Sequence, residues 1–198
     1  MPRMMRHLAV LLVLGIAVVT PLLAQDQTQP SLSEKMRTWT LRPLTEETHA
    51  WDPLLGKWNF SQQLHSPEIT LKGTWTFSRM GDGFMIFDEY RTDNGAGGTM
   101  FLGETYRTYN PDDKTWAFEA TQYATPHFMG LKDGEWDAGT TRFENGDIID
   151  EIPKGAEISR YRFHNIKRDS FSVIGEKSKD GGKTWVGTMD IGCVRAQE

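Results

Sequence analysis

The chain has one cysteine among its 198 residues, Cys193, so it cannot form an internal disulfide. Acidic residues (27) outnumber lysines and arginines (22), and no basic surface for nucleic acid is indicated. Metal-binding histidine spacings and the motifs of nucleophilic hydrolases are also missing. We therefore predict a fold that relies on its own apolar core, with neither a nucleic-acid partner nor a bound metal.

Long apolar runs are missing too, apart from a short one at the N-terminus. Two arginines precede an apolar stretch over residues 8–19, and Ala24 is followed by a polar segment. This order is typical of a secretory signal, and the run is shorter than the roughly 20 residues of a membrane helix. We predict a signal peptide over 1–24, a flexible segment over 25–43, one domain over 44–198, no membrane span after cleavage, and a periplasmic or secreted location.

From Trp58 onward, the sequence shows the two-residue alternation of apolar and polar residues that is typical of β-strands. Trp58, Phe60 and Leu64 alternate with polar residues, and turn residues recur about every ten positions. The predicted strands cover 58–64, 71–78, 84–91, 100–109, 115–123, 128–131, 134–137, 140–144, 158–165, 171–177 and 185–194. The pattern predicts an all-β fold, a single antiparallel up-and-down β-barrel of about ten strands, preceded by a short helix over 45–51.

An acidic run interrupts this pattern between the predicted strands. Asp147, Asp150 and Glu151 lie within 146–153, and their spacing does not match a calcium-binding loop. We predict a solvated hairpin loop there.

Trp58 and Arg195 lie at opposite ends of the predicted barrel sequence. A Gly-x-Trp that opens the first strand and an arginine that ends the last can seal one end of a closed barrel. The indole would pack under the barrel floor and the guanidinium would stack on it. We therefore predict a structural role for this pair.

The segment 47–58 resembles the opening of a family of bacterial secreted lipocalin-like proteins of unknown function. Their domains begin with a His-x-x-Leu…Leu-x-Gly-x-Trp pattern, whose second part matches Leu54, Gly56 and Trp58 here, with His49 upstream. The similarity extends through a glycine turn at 81–83 and on to Arg195. The resemblance implies a calycin-type barrel that handles small molecules.

Haem-binding barrels of the nitrobindin type also open with Gly-x-Trp. The residues after Trp58 lack the glycines and the Tyr-Pro that continue that pattern. A haem ligand would have to be His164 or His127. We therefore predict no cofactor, with haem as the alternative.

Polar residues that face the interior of a barrel are the ones that point to a ligand. Two strands, around 116–123 and 158–164, carry polar residues on one face and aromatic residues on the other, and the strand around 100–109 carries both kinds on each face. The sequence leaves open which face lies inside. If it is the polar face, the cavity suits an acidic or polar ligand. The candidate ligand-binding residues are Tyr106, Glu119, Tyr123, His127 and Arg162.

The predicted function is the binding of a small apolar or amphipathic molecule in the barrel. Two alternatives stay open. One is an isomerase, cyclase or hydrolase in which His127 or His164 acts with Glu104 or Glu119 as acid and base. The other is an envelope protein with a filled barrel that binds a protein partner. The sequence leaves the ligand and the oligomeric state open.

Overall fold

The computed structural model describes residues 44–124 and 136–197. Ten antiparallel strands make up about two thirds of this part, and each pairs with its neighbours in the sequence. The strands are β1 (Gly56–His65), β2 (Glu68–Met80), β3 (Met85–Asp93), β4 (Thr99–Asn110), β5 (Thr115–Ala124), β6 (Trp136–Glu144), β7 (Asp147–Lys154), β8 (Glu157–His164), β9 (Ser170–Ser178) and β10 (Val186–Arg195). Because β1 also pairs with β10, the sheet closes, and the predicted up-and-down barrel is confirmed.

The alternation of side chains along each strand decides which residues face the barrel interior. Along β1, Trp58, Phe60, Gln62 and Leu64 are buried while the residues between them are more exposed. Successive side chains of a strand point to opposite sides of a sheet, so every second residue of each strand faces the barrel interior. Closure gives each of the ten described strands a partner on both sides.

Two short 3₁₀ helices, Glu46–His49 and Asp52–Leu54, cover one end of the barrel. Trp51 lies between them and is fully buried. Its ring centroid lies 5.6 Å from that of Phe163 and 6.3 Å from that of Phe77. The predicted helix is therefore present as two short turns, and its aromatic residue fills the end of the barrel.

The prediction of a solvated loop over 146–153 is wrong. Asp147–Lys154 forms strand β7, paired with β6 and β8. The physical reason is the buried set Ile148, Ile149 and Ile152, which gives this acidic segment enough apolar surface to enter the wall of the barrel.

The predicted strands over 134–137 and 140–144 contribute to one strand, β6, which is described from Trp136 onward. The predicted strand over 128–131, the signal peptide over 1–24 and the flexible segment over 25–43 fall outside the described residues. Among residues 44–124 and 136–197, no helix is long and apolar enough to cross a membrane.

Candidate functional site

The barrel is not filled by its side chains. A cavity of about 400 Å³ lies between the inner faces of the strands. Most of its wall is apolar and includes Leu64, Leu71, Trp75, Phe101, Ile152 and Ile191. Its polar lining includes Gln62, Asp88, Tyr90, Arg107, Asp150 and Tyr161.

A buried cluster of three charged side chains, Asp88, Arg107 and Asp150, is the most distinctive part of this lining. Arg107 Nη2 donates to Asp150 Oδ2 at 2.9 Å, and Nη1 pairs with Asp88 Oδ2. Trp75 Nε1 donates to Asp88 Oδ1 at 2.7 Å, and the hydroxyl of Thr141 donates to Asp150 Oδ1 at 2.6 Å. Strands β3, β4 and β7 each supply one member, and all three side chains are at most 4% exposed.

The charges of this cluster do not balance. Two carboxylates share one guanidinium, which leaves one surplus negative charge when all three groups are ionised. Loss of hydration lowers the pKa of Arg107, and the attraction of Asp150 opposes that shift. Arginine is the most basic side chain and keeps its proton in proteins. The surplus charge therefore belongs to the carboxylates.

Two tyrosines lie near the cluster in the cavity wall. The Tyr90 hydroxyl donates to Gln62 Oε1 at 2.7 Å, and Gln62 Nε2 in turn contacts the Met189 sulfur at 2.9 Å. Tyr161 is the register partner of Asp150. Burial raises the pKa of Tyr161, and the negative charges of Asp137 and Asp150 add to the rise. Burial also raises the pKa of Tyr90, so both tyrosines are neutral at pH 7.

The cavity extends toward the end of the barrel opposite Trp51. Ion pairs lie along one side of that end, where Lys154 Nζ is 2.5 Å from Asp137 Oδ1 and Lys177 Nζ is 2.6 Å from Glu157 Oε1. Register places Lys154 beside Glu157, so the two pairs follow one another around the rim. The other side of this end is lined by Leu64, Leu71 and Phe101.

At the Trp51 end, Arg195 lies over the ring of Trp58, 4.0 Å from its centroid. Arg195 Nη1 also donates to the carbonyl of Leu55 at 2.9 Å, and Trp58 Nε1 donates to the carbonyl of Leu54 at 2.7 Å. A Cβ at Gly56 would meet Arg195 Nη1 at 2.7 Å, and the φ of Gly56 is 113°, so glycine is required there. First and last strands are thereby joined beyond their backbone pairing.

In β5 and β8 the aromatic faces lie inside, which decides for these two strands the question that the sequence left open. Phe118, Tyr161 and Phe163 line the cavity. The residues that alternate with inward side chains point outward, and this corrects the sequence-based placement of four candidate ligand-binding residues. The outward residues are Tyr106, Glu119, Tyr123 and Arg162, none of which lines the cavity.

The candidate acid–base residues are also scattered. His164 alternates with the buried Phe163 and does not line the cavity, so it is not placed to ligate a haem there either. Glu104 borders the cavity, whereas Glu119 is exposed on the outside. His127 falls outside the described residues.

Sequence reasoning missed the charged cluster as a site. One signal was available, because Asp150 lies two residues from Ile148 and two from Ile152 and therefore shares their face. A carboxylate on an otherwise apolar strand face indicates a buried charge that needs a partner. Within residues 44–124 and 136–197, no group of three or more histidines, cysteines or acids is placed to hold a metal ion.

The fold and the cavity define a class, the closed ten-stranded antiparallel barrel with an internal pocket. No family model and no curated protein matches the chain. Among solved structures, it is similar to the S-type phycobiliprotein lyase CPES from Guillardia theta, with 11% identity, 79% of this chain and 99% of that chain covered, and a TM-score of 0.48. It is also similar to Rv2717c from M. tuberculosis, with 16% identity, 78% and 100% covered, and a TM-score of 0.48.

Proposed function

We propose that this chain is a small-molecule-binding protein that holds a mainly apolar ligand inside the barrel. The observation that carries the proposal is the cavity of about 400 Å³. Ligand pockets typically measure about 300–1,000 Å³ and combine apolar walls with a few polar groups that fix orientation. The barrel has both features, and a filled barrel that only binds a protein partner would have neither.

The distribution of polarity supports an amphipathic ligand. The cluster of Asp88, Arg107 and Asp150 offers polar contacts deep in the barrel, whereas Leu64 and Leu71 line the far end. A molecule with one polar end and an apolar body would match this division.

Binding is preferred to catalysis because of where the candidate acid–base groups lie. His164 and Glu119 lie outside the cavity and cannot transfer a proton to a molecule inside it. Glu104 borders the cavity, but its candidate partner His164 does not. The groups that do line it near the cluster, Asp88 and Asp150, are both engaged by Arg107.

We also propose that the protein is exported to the periplasm or secreted. The support is the N-terminal sequence, a basic start followed by a short apolar run and Ala24. Fractionation of the native host with mass measurement of the mature chain tests this. A mature N-terminus at Gln25 is expected, and an intact Met1 in the cytoplasmic fraction would overturn the proposal.

Native mass spectrometry tests the binding proposal, with two matched variants. Ala120 lines the cavity on β5, whereas Ala117 on the same strand is exposed. Ala120→Phe fills the cavity, and Ala117→Phe adds the same ring outside. We expect a stoichiometric added mass on the wild type and on Ala117→Phe but not on Ala120→Phe. No added mass on the wild type, or equal added mass on all three proteins, would contradict the proposal.

A further inference from the structure

We infer that the ligand carries a positively charged head group, such as a protonated amine, which binds beside Asp88 and Asp150. The inference rests on the proposed function and names the chemical class of its ligand. It is carried by the charges that line the cavity and by the hydrogen-bonding groups that surround them.

The charged side chains that border the cavity are more negative than positive. Asp88 and Asp150 share Arg107, so with all three groups ionised the cluster that borders the cavity carries one surplus negative charge. A cationic head group would neutralise this surplus. A carboxylate head group would add a third negative charge at the same place, within an interior where Coulomb interactions are stronger than in water.

Every cationic side chain in the described lining is already paired with a carboxylate, so none is free to receive an anion. Arg107 is paired on both Nη atoms, by Asp88 and by Asp150. Lys177 borders the cavity near the rim, where Glu157 pairs with it at 2.6 Å. The formal net charge of the chain, −5, has the same sign as the cluster and also favours the approach of a cation.

The cavity wall also carries hydrogen-bond acceptors that a ligand can use. An ammonium group has three donors and no acceptor. Thr105 and Tyr161 line the cavity as the register partners of Asp88 and Asp150, and neither hydroxyl is hydrogen-bonded within the described residues. Gln122 also lines the cavity, and its buried Oε1 has no partner in the same part of the chain. These oxygens can accept from a donor-rich head group.

One unpartnered group in the cavity wall is a hydrogen-bond donor and not an acceptor. Arg107 is 2% exposed, and its Nε has no acceptor among the described residues. This buried, unpartnered group at the cavity wall is a further sign that the site is completed by a ligand or water. A neutral acceptor can satisfy it, whereas a carboxylate would meet the surplus charge of Asp88 and Asp150.

Aromatic rings complete the environment for a cation. Trp75, Phe118 and Phe163 line the cavity together with the carboxylates. The face of an aromatic ring attracts a cation, more strongly when the cation is desolvated. The cavity thus offers an ammonium group aromatic rings as well as carboxylates.

The test compares octylamine, octanol and octanoate by isothermal titration calorimetry with the full chain at pH 7. The three probes share one apolar tail and differ in the charge of the head group. We expect octylamine to bind at least about tenfold more tightly than octanol and octanoate to bind most weakly, where tenfold in affinity corresponds to about 1.4 kcal/mol. Equal affinities, or preference for octanoate, would overturn the inference and leave the binding proposal standing. If none of the three binds, both fail.

Variants show whether the preference comes from the cluster. Asp150→Asn removes the surplus charge and keeps an oxygen for the Thr141 hydroxyl. We expect it to lose about tenfold in octylamine affinity while its octanol affinity changes little. Asp88→Asn serves if Asp150→Asn does not fold, and Asp93→Asn, an exposed position on the same strand as Asp88, is the matched control. An unchanged octylamine preference in a folded cluster variant would overturn the inference.

Discussion

The guanidinium of Arg107 lies over the indole of Trp51, 4.2 Å from the ring centroid. Trp51 comes from the segment before the first strand, and Arg107 comes from β4 in the barrel interior. The contact therefore joins the cover of the barrel end to the charged cluster that borders the cavity. This contact matters for both stability and binding. Trp51 closes the barrel end, and it packs against Arg107, the cation that pairs with Asp88 and Asp150.

Replacing Arg107 is expected to destabilise the fold strongly. Arg107→Met leaves Asp88 and Asp150 buried without their cation. Breaking a buried pair by removing one partner typically costs about 3–5 kcal/mol. Urea unfolding of the variant measures the loss. The matched comparison is the triple variant Asp88→Asn, Arg107→Met, Asp150→Asn, which should recover part of it. A loss below about 1 kcal/mol in the single variant would contradict the role given to Arg107.

Arg195→Ala is expected to loosen the closure between β1 and β10. The change removes the contact with Trp58 at 4.0 Å and the hydrogen bonds to the carbonyls of Leu55 and Arg168 at 2.9 Å and 2.7 Å. Together these contribute about 1–3 kcal/mol to the free energy of unfolding. Arg142→Ala, which removes an exposed ion-pair network, is the control and should cost less than about 1 kcal/mol. Similar losses in the two variants would show that Arg195 has no special role.

The turn between β9 and β10 makes stability depend on pH. Asp180 accepts hydrogen bonds from Thr184 and Ser178 and from the backbone of Lys183, and these lower the pKa of Asp180 to about 2. An unfolded aspartate has a pKa of about 3.9. The contribution is therefore present above about pH 4 and is lost as the pH falls toward 2. Melting temperatures of the wild type and Asp180→Asn should differ at pH 6 and converge below pH 4. A constant difference would contradict this account.

Cys193 is expected to be inert in the folded protein. Its side chain is 2% exposed, and burial raises the pKa of the thiol to about 12. Only the thiolate reacts quickly with alkylating reagents. Iodoacetamide at pH 8 should therefore label the urea-unfolded chain fully and the folded chain only at the rate of its opening. Rapid labelling of the folded chain would show that the last strand is less well packed than the structure has it.

The barrel could be predicted because its signal is local. The alternation along β1, with Trp58 and Phe60 separated by polar residues, needs no knowledge of the rest of the chain. The orientation of β4 could not be predicted in the same way. Thr105 and Arg107 share one face, Glu104 and Tyr106 share the other, and Glu104 borders the cavity as well. Both faces mix polar and larger side chains, so the pattern does not choose between them.

The cluster of Asp88, Arg107 and Asp150 lay beyond sequence reasoning for a different reason. Its members come from three strands, and Arg107 and Asp150 are 43 residues apart in the chain. Their meeting depends on barrel closure and on register, which set which inner residues share a level. The acidic composition of 147–151 further favoured a solvated loop, although Ile148 and Ile152 carry the segment into the wall.

A fluorescence titration with N-phenyl-1-naphthylamine, an apolar probe that is neutral at pH 7, shows whether the barrel cavity binds a ligand. The wild type, Ala120→Phe and Ala117→Phe are compared, because they differ only in whether a ring is added inside or outside the barrel. We expect saturable binding of one probe per chain to the wild type and to Ala117→Phe. The affinity of Ala120→Phe for the probe should be at least about tenfold lower. Equal binding to all three proteins, or no binding to the wild type, would contradict a ligand site in the barrel cavity.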